Sequence, residues 1–167
     1  MKLILLMAQT VDGKIARHSS HFPDWTASAD KSYFARRTRE AGVIIMGSKT
    51  FDTLKTPLPG RKNVVLSRDP GRVSRPPDLI FTAGPPARLL ADLATEGFQE
   101  AILAGGMRIN SLFAGAGLID EIIVTVSPRI FGSGLSLFDI PLDLELRMVE
   151  VRRLDGDLVL LHYLVRH

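Results

Sequence analysis

The chain has no cysteine among its 167 residues, and this absence excludes several kinds of chemistry. A disulfide framework, a thiolate metal site and a cysteine nucleophile all need a thiol. The sequence also has no long apolar run, because the first one, Met1–Ala8, is short and is followed by Gln9, Asp12 and Lys14. That segment predicts a buried strand instead of a targeting signal, and the cytoplasm is the expected location.

No linker or internal repeat divides the chain, so we expect a single domain over residues 1–167. Hydrophobic residues make up 46% and charged residues 23%, which is ordinary globular composition and excludes wholesale disorder. The charge is uneven: residues 1–77 carry 14 Lys and Arg against six Asp and Glu, whereas residues 78–167 carry seven against 12. The basic half suits a phosphate-bearing ligand or nucleic acid, although composition alone favours a solvated surface.

Short aliphatic runs alternate with helical segments, which is the spacing of strand–helix–strand units. We expect loops at Gln9–Trp25 and Phe131–Ser136, and a final hairpin turning at Asp155–Asp157. The pattern predicts an α/β fold with a mostly parallel central sheet and a C-terminal antiparallel hairpin. The predicted strands are Lys2–Ala8, Val43–Met46, Asn63–Ser67, Leu79–Thr82, Ala101–Ala104, Ile122–Ser127, Leu144–Leu154 and Leu158–Val165; the predicted helices are Ser28–Ala41 with Ser28 as its cap, a short one ending at Leu54, Pro86–Thr95 and Arg108–Ala116.

Ligands of open α/β sheets bind beyond the carboxyl ends of the strands. Two segments at such positions, Gly47–Thr50 and Gly105–Arg108, join a strand to a helix through glycine. Free amide groups at a helix start attract phosphate, and Lys49 and Arg108 add positive charge. Each glycine alone is explained by a tight turn, but their joint placement predicts a dinucleotide along the sheet edge.

The sequence matches neither of two common nucleotide-binding motifs, and it predicts no metal site. Gly42–Lys49 has Ser48 where a phosphate-binding loop needs lysine, and Gly132–Gly134 lacks the third glycine of the dinucleotide fingerprint. The histidines have no supporting ligands at metal-site spacing, so we expect solvent-facing side chains at His18, His21, His162 and His167.

Asp30 is the acid in the most suggestive position, within the first turn of a predicted helix and between Trp25 and Phe34. Asp30 is equally well explained as a partner of the helix dipole or as a carboxylate at the base of an aromatic-walled pocket. In the pocket it could hold an amidine-like heterocycle and protonate it.

Residues 10–68 resemble dihydrofolate reductase, and the dihydrofolate reductase superfamily covers nearly the whole chain. The matching segments are Val11–Ala16, Trp25 with Asp30 and Phe34, Val43–Thr50, and Pro57–Arg68. The resemblance implies a three-layer α/β/α fold and NADPH as cofactor. It implies cofactor contacts at Ala8, Ala16, Gly47, Ser48, Lys49, Thr50, Leu66, Ser67, Arg68, Gly105, Gly106, Met107, Arg108 and Ile109.

The same resemblance assigns the substrate side of the site. It implies that Asp30 protonates the substrate, that Thr125 orients Asp30, and that Arg61 binds an anionic substrate tail. The implied substrate contacts are Met7, Ala8, Trp25, Asp30, Phe34, Arg61, Asn110 and Thr125.

Residues 104–138 more closely resemble the reductase domain of riboflavin synthesis, a branch of the same superfamily. Gly105–Asn110, Gly117–Glu121 and Pro128–Gly134 carry this likeness. Asn110 stands where dihydrofolate reductases usually have tyrosine. The chain lacks the Asp-Asp-Pro segment that the riboflavin branch has after its second strand.

The leading hypothesis is therefore NADPH-dependent reduction of a C=N bond in dihydrofolate. The alternative substrate is 5-amino-6-(5-phosphoribosylamino)uracil, of riboflavin synthesis. A remote third hypothesis is a non-catalytic nucleotide- or nucleic-acid-binding protein, which the scattered basic residues without interleaved aromatics do not favour. We expect no membrane or nucleic-acid partner, and the resemblance implies a homodimer.

Overall fold

The computed structural model describes residues 1–166, so the predicted solvent exposure of His167 lies outside the described residues. Two sheets and four helices make up the fold. The strands are β1 (Lys2–Thr10), β2 (Lys14–Ala16), β3 (Val43–Gly47), β4 (Lys62–Leu66), β5 (Leu79–Thr82), β6 (Glu100–Leu103), β7 (Glu121–Ser127), β8 (Leu135–Ser136), β9 (Leu146–Arg153) and β10 (Val159–Val165); the helices are α1 (Ser28–Ala41), α2 (Ser48–Leu54), α3 (Pro86–Thr95) and α4 (Met107–Gly115).

The main sheet has eight strands in the order β5-β4-β3-β6-β1-β7-β10-β9. All neighbouring pairs from β5 to β7 are parallel, and β10 runs antiparallel to both β7 and β9. The mostly parallel sheet with a C-terminal hairpin is therefore confirmed.

Consecutive residues of β1 face opposite sides of the sheet and enter different cores. Leu3 and Leu5 pack with residues of α3 and α4, whereas Ile4 and Leu6 pack with residues of α1. A strand covered on both faces needs a continuous aliphatic run, which explains why β1 shows no alternation of polar and apolar residues. The three-layer α/β/α prediction is confirmed by this arrangement.

The predicted loop Gln9–Trp25 is partly strand. β1 continues to Thr10, and β2 pairs with β8 in a separate two-stranded sheet, so the predicted loop Phe131–Ser136 also contains a strand. The two partners are more than 100 residues apart and only two or three residues long. Local periodicity carries no signal for a pairing so short and so distant.

Three further predictions are wrong. The His21 side chain does not face solvent, because it is only 15% exposed and its Nδ1 accepts a hydrogen bond from the Arg17 N–H at 3.0 Å, whereas His18 is exposed as predicted. Ala27, and not Ser28, holds the N-cap position of α1, and no side chain caps this helix. His162 does not simply face solvent, because its Nε2 lies 2.8 Å from Oε2 of Glu121, which also pairs with Lys2. Within residues 1–166, no helix is both long enough and apolar enough to span a membrane.

Candidate active site

The carboxyl ends of β1, β6, β3 and β4 lie side by side because these strands are parallel neighbours. Every residue expected to contact the cofactor lies at or just beyond this edge, apart from Ala16, which is in β2. The residues gathered at the edge are Ala8, Gly47, Ser48, Lys49, Thr50, Leu66, Ser67, Arg68, Gly105, Gly106, Met107, Arg108 and Ile109.

The two glycine segments meet directly at this edge. The Gly47 N–H donates to the Gly105 carbonyl at 2.8 Å. Gly105 has a φ of 84°, in the left-handed region, and a Cβ there would lie 2.9 Å from the Met7 methyl carbon. A Cβ on Gly47 would meet Ile109 at 2.8 Å. Glycine is thus required for the close backbone packing that leaves this edge open.

The edge also carries unpaired positive charge. Lys49 and Arg68 are exposed, and within residues 1–166 neither forms an ion pair. Ser48 and Ser67 lie beside them at the ends of the adjacent strands β3 and β4. Hydroxyl and cationic groups together are the donor set that a phosphate monoester needs, so these residues fit the 2′-phosphate of NADPH.

Asp30 lies in the first turn of α1 and reaches across to β7. Its side chain is 8% exposed, and its Oδ1 accepts a hydrogen bond from the Thr125 hydroxyl at 2.5 Å. Burial raises the pKa of the Asp30 carboxyl, while the Thr125 hydrogen bond opposes that rise. A carboxyl that keeps its proton at higher pH than an exposed aspartate can act as a general acid.

The aromatic side chains predicted for the pocket are near Asp30 in the fold. Trp25 is buried, and its Nε1 has no hydrogen-bond partner within residues 1–166. Phe34 is half-buried one turn beyond Asp30 and contacts two cores. A cleft of about 710 Å³ lies between residues 19–22 and α2, and Trp25, Asp30 and Phe34 are not among the residues that line it. Its volume suits a small heterocyclic ligand.

Arg61 is placed differently from the expected ligand of a substrate tail. It is 5% exposed, and its guanidinium donates to the carbonyl groups of Pro59 and Ala35 and to the Thr38 hydroxyl. These bonds use four of its five N–H groups, so a two-pronged grip on a carboxylate is not free. The role of Arg61 in substrate binding stays a prediction.

Asn110, on α4, is fully buried behind the glycine segment. Its Nδ2 donates to the Leu137 carbonyl at 3.0 Å, whereas its Oδ1 has no partner within residues 1–166. A Cβ added to Gly105 would lie 3.7 Å from that oxygen. The contact of Asn110 with substrate also stays a prediction.

No site role was predicted for Asp12 or Phe131. Their contacts hold the segment Gln9–Trp25, part of which lines the cleft. Asp12 accepts hydrogen bonds from the N–H groups of Phe131 and Gly132, at 3.2 and 2.8 Å. The Phe131 ring packs edge-on against Trp25 and stacks under the Arg17 guanidinium, 4.0 Å from the ring centre. The signal available in sequence was an aromatic residue inside a glycine-rich loop.

Three features together define a dihydrofolate reductase-like α/β reductase fold. They are the parallel strand edge, the glycine cradle formed by Gly47 and Gly105, and the buried carboxyl of Asp30. The profile of the RibD C-terminal domain matches residues 1–160. The chain belongs to this family, and the resemblance to the dihydrofolate reductase superfamily is thereby confirmed.

Sequence relatives include dihydrofolate reductases and a protein that matches this chain over nearly its whole length. Dihydrofolate reductase type 3 of Salmonella typhimurium is 32% identical over 104 residues, which cover 62% of this chain and 60% of the relative. The chain therefore spans less than two thirds of that protein. YwjB of Bacillus subtilis is 27% identical over 172 residues, which cover 97% of each chain.

Solved structures agree on the fold. RibD of Acinetobacter baumannii superimposes with a TM-score of 0.86 at 21% identity, covering 99% of this chain and 58% of that chain. Dihydrofolate reductase from Enterococcus faecalis, complexed with NADP(H), superimposes with a TM-score of 0.76 at 18% identity, covering 99% and 97%. Of the two substrates expected from the sequence, the family match supports the riboflavin-pathway pyrimidine better than dihydrofolate.

Proposed function

We propose that this protein is an NADPH-dependent reductase of 5-amino-6-(5-phosphoribosylamino)uracil. The observation that carries the proposed activity is the buried Asp30 carboxyl, held by Thr125 beside the ligand edge of the sheet. Membership of the RibD C-terminal domain family supports the pyrimidine substrate. The inward orientation of Arg61 weakens the case for a folate tail.

The residues that would hold NADPH are the glycine cradle and the exposed donors beyond β3 and β4. Gly47 and Gly105 would let the pyrophosphate approach the backbone, and Lys49 and Arg68 would favour the 2′-phosphate. When bound there, NADPH supplies a hydride.

The chain's own residues would prepare the other partner in the reaction. In its ring-opened form the substrate has a C=N bond between the ribose carbon and the amine nitrogen. Phe34 would position the heterocycle, and Asp30 would give its proton to that nitrogen as a new C–H bond forms on the carbon. Thr125 would orient the carboxyl, solvent would return the proton, and the segment fastened by Asp12 would exclude water.

The test is a direct assay of purified protein with NADPH and each substrate in turn, followed by the loss of reduced-cofactor absorbance. We expect oxidation with the phosphoribosylaminopyrimidine and formation of its ribityl product. Nucleotide binding without oxidation of NADPH by either substrate would instead favour the remote non-catalytic hypothesis.

Dihydrofolate is the second candidate substrate, because the same buried acid also suits its reduction. The buried pair of Asp30 and Thr125, near Trp25, suits a heterocycle that must be protonated on a ring nitrogen. Turnover of dihydrofolate with a higher kcat/KM than the pyrimidine would reverse the order of the two proposals.

We also propose a cytoplasmic homodimer. The edge strand β9 supports the dimer. Its side chains Met148, Val149 and Val151 are about half exposed, and its outer edge has no partner strand within residues 1–166. Sedimentation of the wild type and of Val151→Lys tests it: we expect a dimer that the lysine converts to monomer.

A further inference from the structure

A cleft between residues 19–22 and α2 contains none of the side chains assigned to catalysis, and it has no role in the proposed reaction so far. One wall is the segment carrying Ser19, Ser20 and Phe22, and the other is α2 with Lys55, which directly follows it. The cleft measures about 710 Å³. That volume lies within the usual range of small-ligand pockets, so the cleft has room for a substrate tail.

The unpaired charges that line this cleft are positive. Asp52 is its one acidic lining residue, and Arg72 binds both oxygens of that carboxylate, at 2.7 Å each. Within residues 1–166, Lys49 and Lys55 have no carboxylate within ion-pair distance. Ser19 and Ser20 line the opposite wall, and the Ser20 hydroxyl lies 3.1 Å from Nδ1 of His18, so an anion would have to compete with that contact.

The backbone at Lys55 is unusual. Its φ of 67° lies in the left-handed region, and among residues 1–166 every other residue with positive φ is a glycine. Glycine would end α2 there at lower conformational cost. Lys55 is unpaired within residues 1–166 and lines a cleft. A functional side chain therefore explains best why lysine, and not glycine, stands at this position.

The two lysines stand at opposite ends of α2. Lys55 follows Lys49 by six positions, which corresponds to about 9 Å along a helix axis. Lys49 lies next to the cofactor edge, whereas Lys55 lies beyond the far end of the helix. The site can thus hold two anionic groups at once, one from the cofactor and one from the substrate. Four of the five Arg61 N–H groups are already bonded within the protein, so Arg61 is not arranged to grip the second anion with two donors.

We propose that Lys55, with Ser19 and Ser20 across the cleft, binds the terminal oxyanion of the substrate. This inference rests on the proposed function and deepens it, because it names the group that reads the substrate's tail. The oxyanion is the phosphate of a ribose phosphate or the carboxylate of a glutamate. These two sources share the chemistry that a lysine and two hydroxyls recognise.

Steady-state kinetics with matched variants tests the proposal. We expect Lys55→Gln and Lys55→Gly to raise the KM for the phosphorylated pyrimidine about tenfold or more, with the KM for NADPH unchanged. Lys55→Gly relaxes the left-handed backbone, so it guards against loss of folding. Lys55→Arg keeps the charge and should keep most of the affinity. Arg88→Gln removes an exposed cation on α3, outside the cleft, and should change neither KM.

The substrate arms identify the oxyanion. With a dephosphorylated pyrimidine, the wild type and Lys55→Gly should have equal KM values if phosphate is bound. A rise in KM confined to dihydrofolate would assign the carboxylate instead. A Lys55→Gly protein with a changed Tm and unchanged KM values would overturn the proposal, because Lys55 would then only complement the helix terminus.

Binding without turnover separates this proposal from the proposed function. We would titrate ribose 5-phosphate, with ribose as the control, into the wild type and Lys55→Gly and follow the amide NMR signals. Failure of the wild type to oxidise NADPH with any substrate refutes the proposed function alone, provided that ribose 5-phosphate binds and Lys55→Gly abolishes binding. Equal binding of ribose 5-phosphate by both proteins refutes the phosphate subsite even if turnover is found.

Discussion

The Thr125 hydroxyl on β7 donates a 2.5 Å hydrogen bond to Oδ1 of Asp30 on α1, across 95 positions of sequence. Both side chains are buried, so this carboxyl has little water around it. Burial raises its pKa and the hydroxyl lowers it, with burial the larger influence. The pair therefore tunes an acid that can hold a proton above the usual range of aspartate.

Asp30→Asn should separate catalysis from stability. Without its proton donor the protein should lose about 10²-fold or more in kcat while NADPH affinity stays close to the wild type. The native pKa of Asp30 lies above its usual value, so the folded state holds the proton more tightly than the unfolded chain. Its contribution to stability is present at low pH and is lost as pH rises through the native pKa. Asparagine should hence raise Tm at neutral pH, by a margin that shrinks on acidification.

Calorimetry over a pH series, with cofactor titration at each pH, measures both effects. An equal loss of NADPH affinity and turnover would contradict the assignment of Asp30 as the acid.

Thr125→Val should move the pH dependence of turnover. Valine matches the shape of threonine but cannot donate to Asp30, so the pKa of the carboxyl should rise further. The decline of kcat at high pH should then begin at a higher pH than in the wild type. Thr125→Ser keeps the hydroxyl and should keep the profile. Identical profiles for the valine and serine variants would show that the hydroxyl does not tune Asp30.

The parallel edge was predictable from sequence because each of its strands is a local aliphatic run followed by glycine or polar residues. β3 ends at Gly47 and β6 is followed within two residues by Gly105, so the strand order alone brings those glycines together. The local pattern predicted that Asp30 lies in the first turn of α1, whereas its role as the acid was implied only by the family resemblance.

What the sequence did not predict depends on distant or three-dimensional contacts. The pairing of β2 with β8 and the bonds from Asp12 to Phe131 and Gly132 join segments more than 100 residues apart. The burial of Arg61 follows from the packing of its turn against α1, which no local pattern encodes. The left-handed backbone of Lys55 could not be predicted, because every other residue with positive φ within residues 1–166 is a glycine.

Gly105→Ala should weaken both folding and cofactor binding, and Gly97→Ala is its matched control. Both glycines have positive φ, but a Cβ on Gly97 meets nothing within 4 Å, whereas on Gly105 it presses on Met7. We expect Gly97→Ala to cost about 1 kcal/mol in the free energy of unfolding, from backbone conformation alone. Gly105→Ala should cost about 2 kcal/mol or more and should also lower NADPH affinity.

Denaturant titration and cofactor titration of the two variants measure these quantities. The same affinity for NADPH in Gly105→Ala as in the wild type would argue against a cofactor at this edge.

Arg61→Gln should act mainly on stability. The change removes the donors to the carbonyl groups of Ala35 and Pro59 and to the buried Thr38 hydroxyl, so the free energy of unfolding should fall by about 1–3 kcal/mol. The KM for either substrate should stay within about threefold of the wild type at a temperature where the variant is folded, since a twofold or threefold change corresponds to well under 1 kcal/mol. A large rise in KM with little loss of Tm would instead restore Arg61 as the ligand of the substrate tail.

Asp12→Ala should release the segment over the cleft. In the wild type, the Asp12 carboxylate accepts hydrogen bonds from the Thr10 hydroxyl and from the N–H groups of Phe131 and Gly132. Alanine leaves those two amides without a protein acceptor, so their hydrogen exchange should speed up while that of β1 and β7 stays slow. A segment that closes less often excludes water less well, so kcat should fall and KM should rise together.

Asp24→Ala is the matched control, because Asp24 belongs to the same segment and is exposed, and its Oδ1 lies 3.7 Å from Nε2 of His21, beyond hydrogen-bond distance. It should leave amide exchange at Phe131 and both kinetic constants unchanged. The Thr10 hydrogen bond lowers the pKa of Asp12, so its carboxylate stays ionised and keeps the segment fastened well into the acid range. Loss of activity on mild acidification therefore has to come from other groups, and Asp12→Ala should lose no additional activity there. Faster exchange in Asp12→Ala with unchanged kinetics would mean that closure of this segment does not limit turnover.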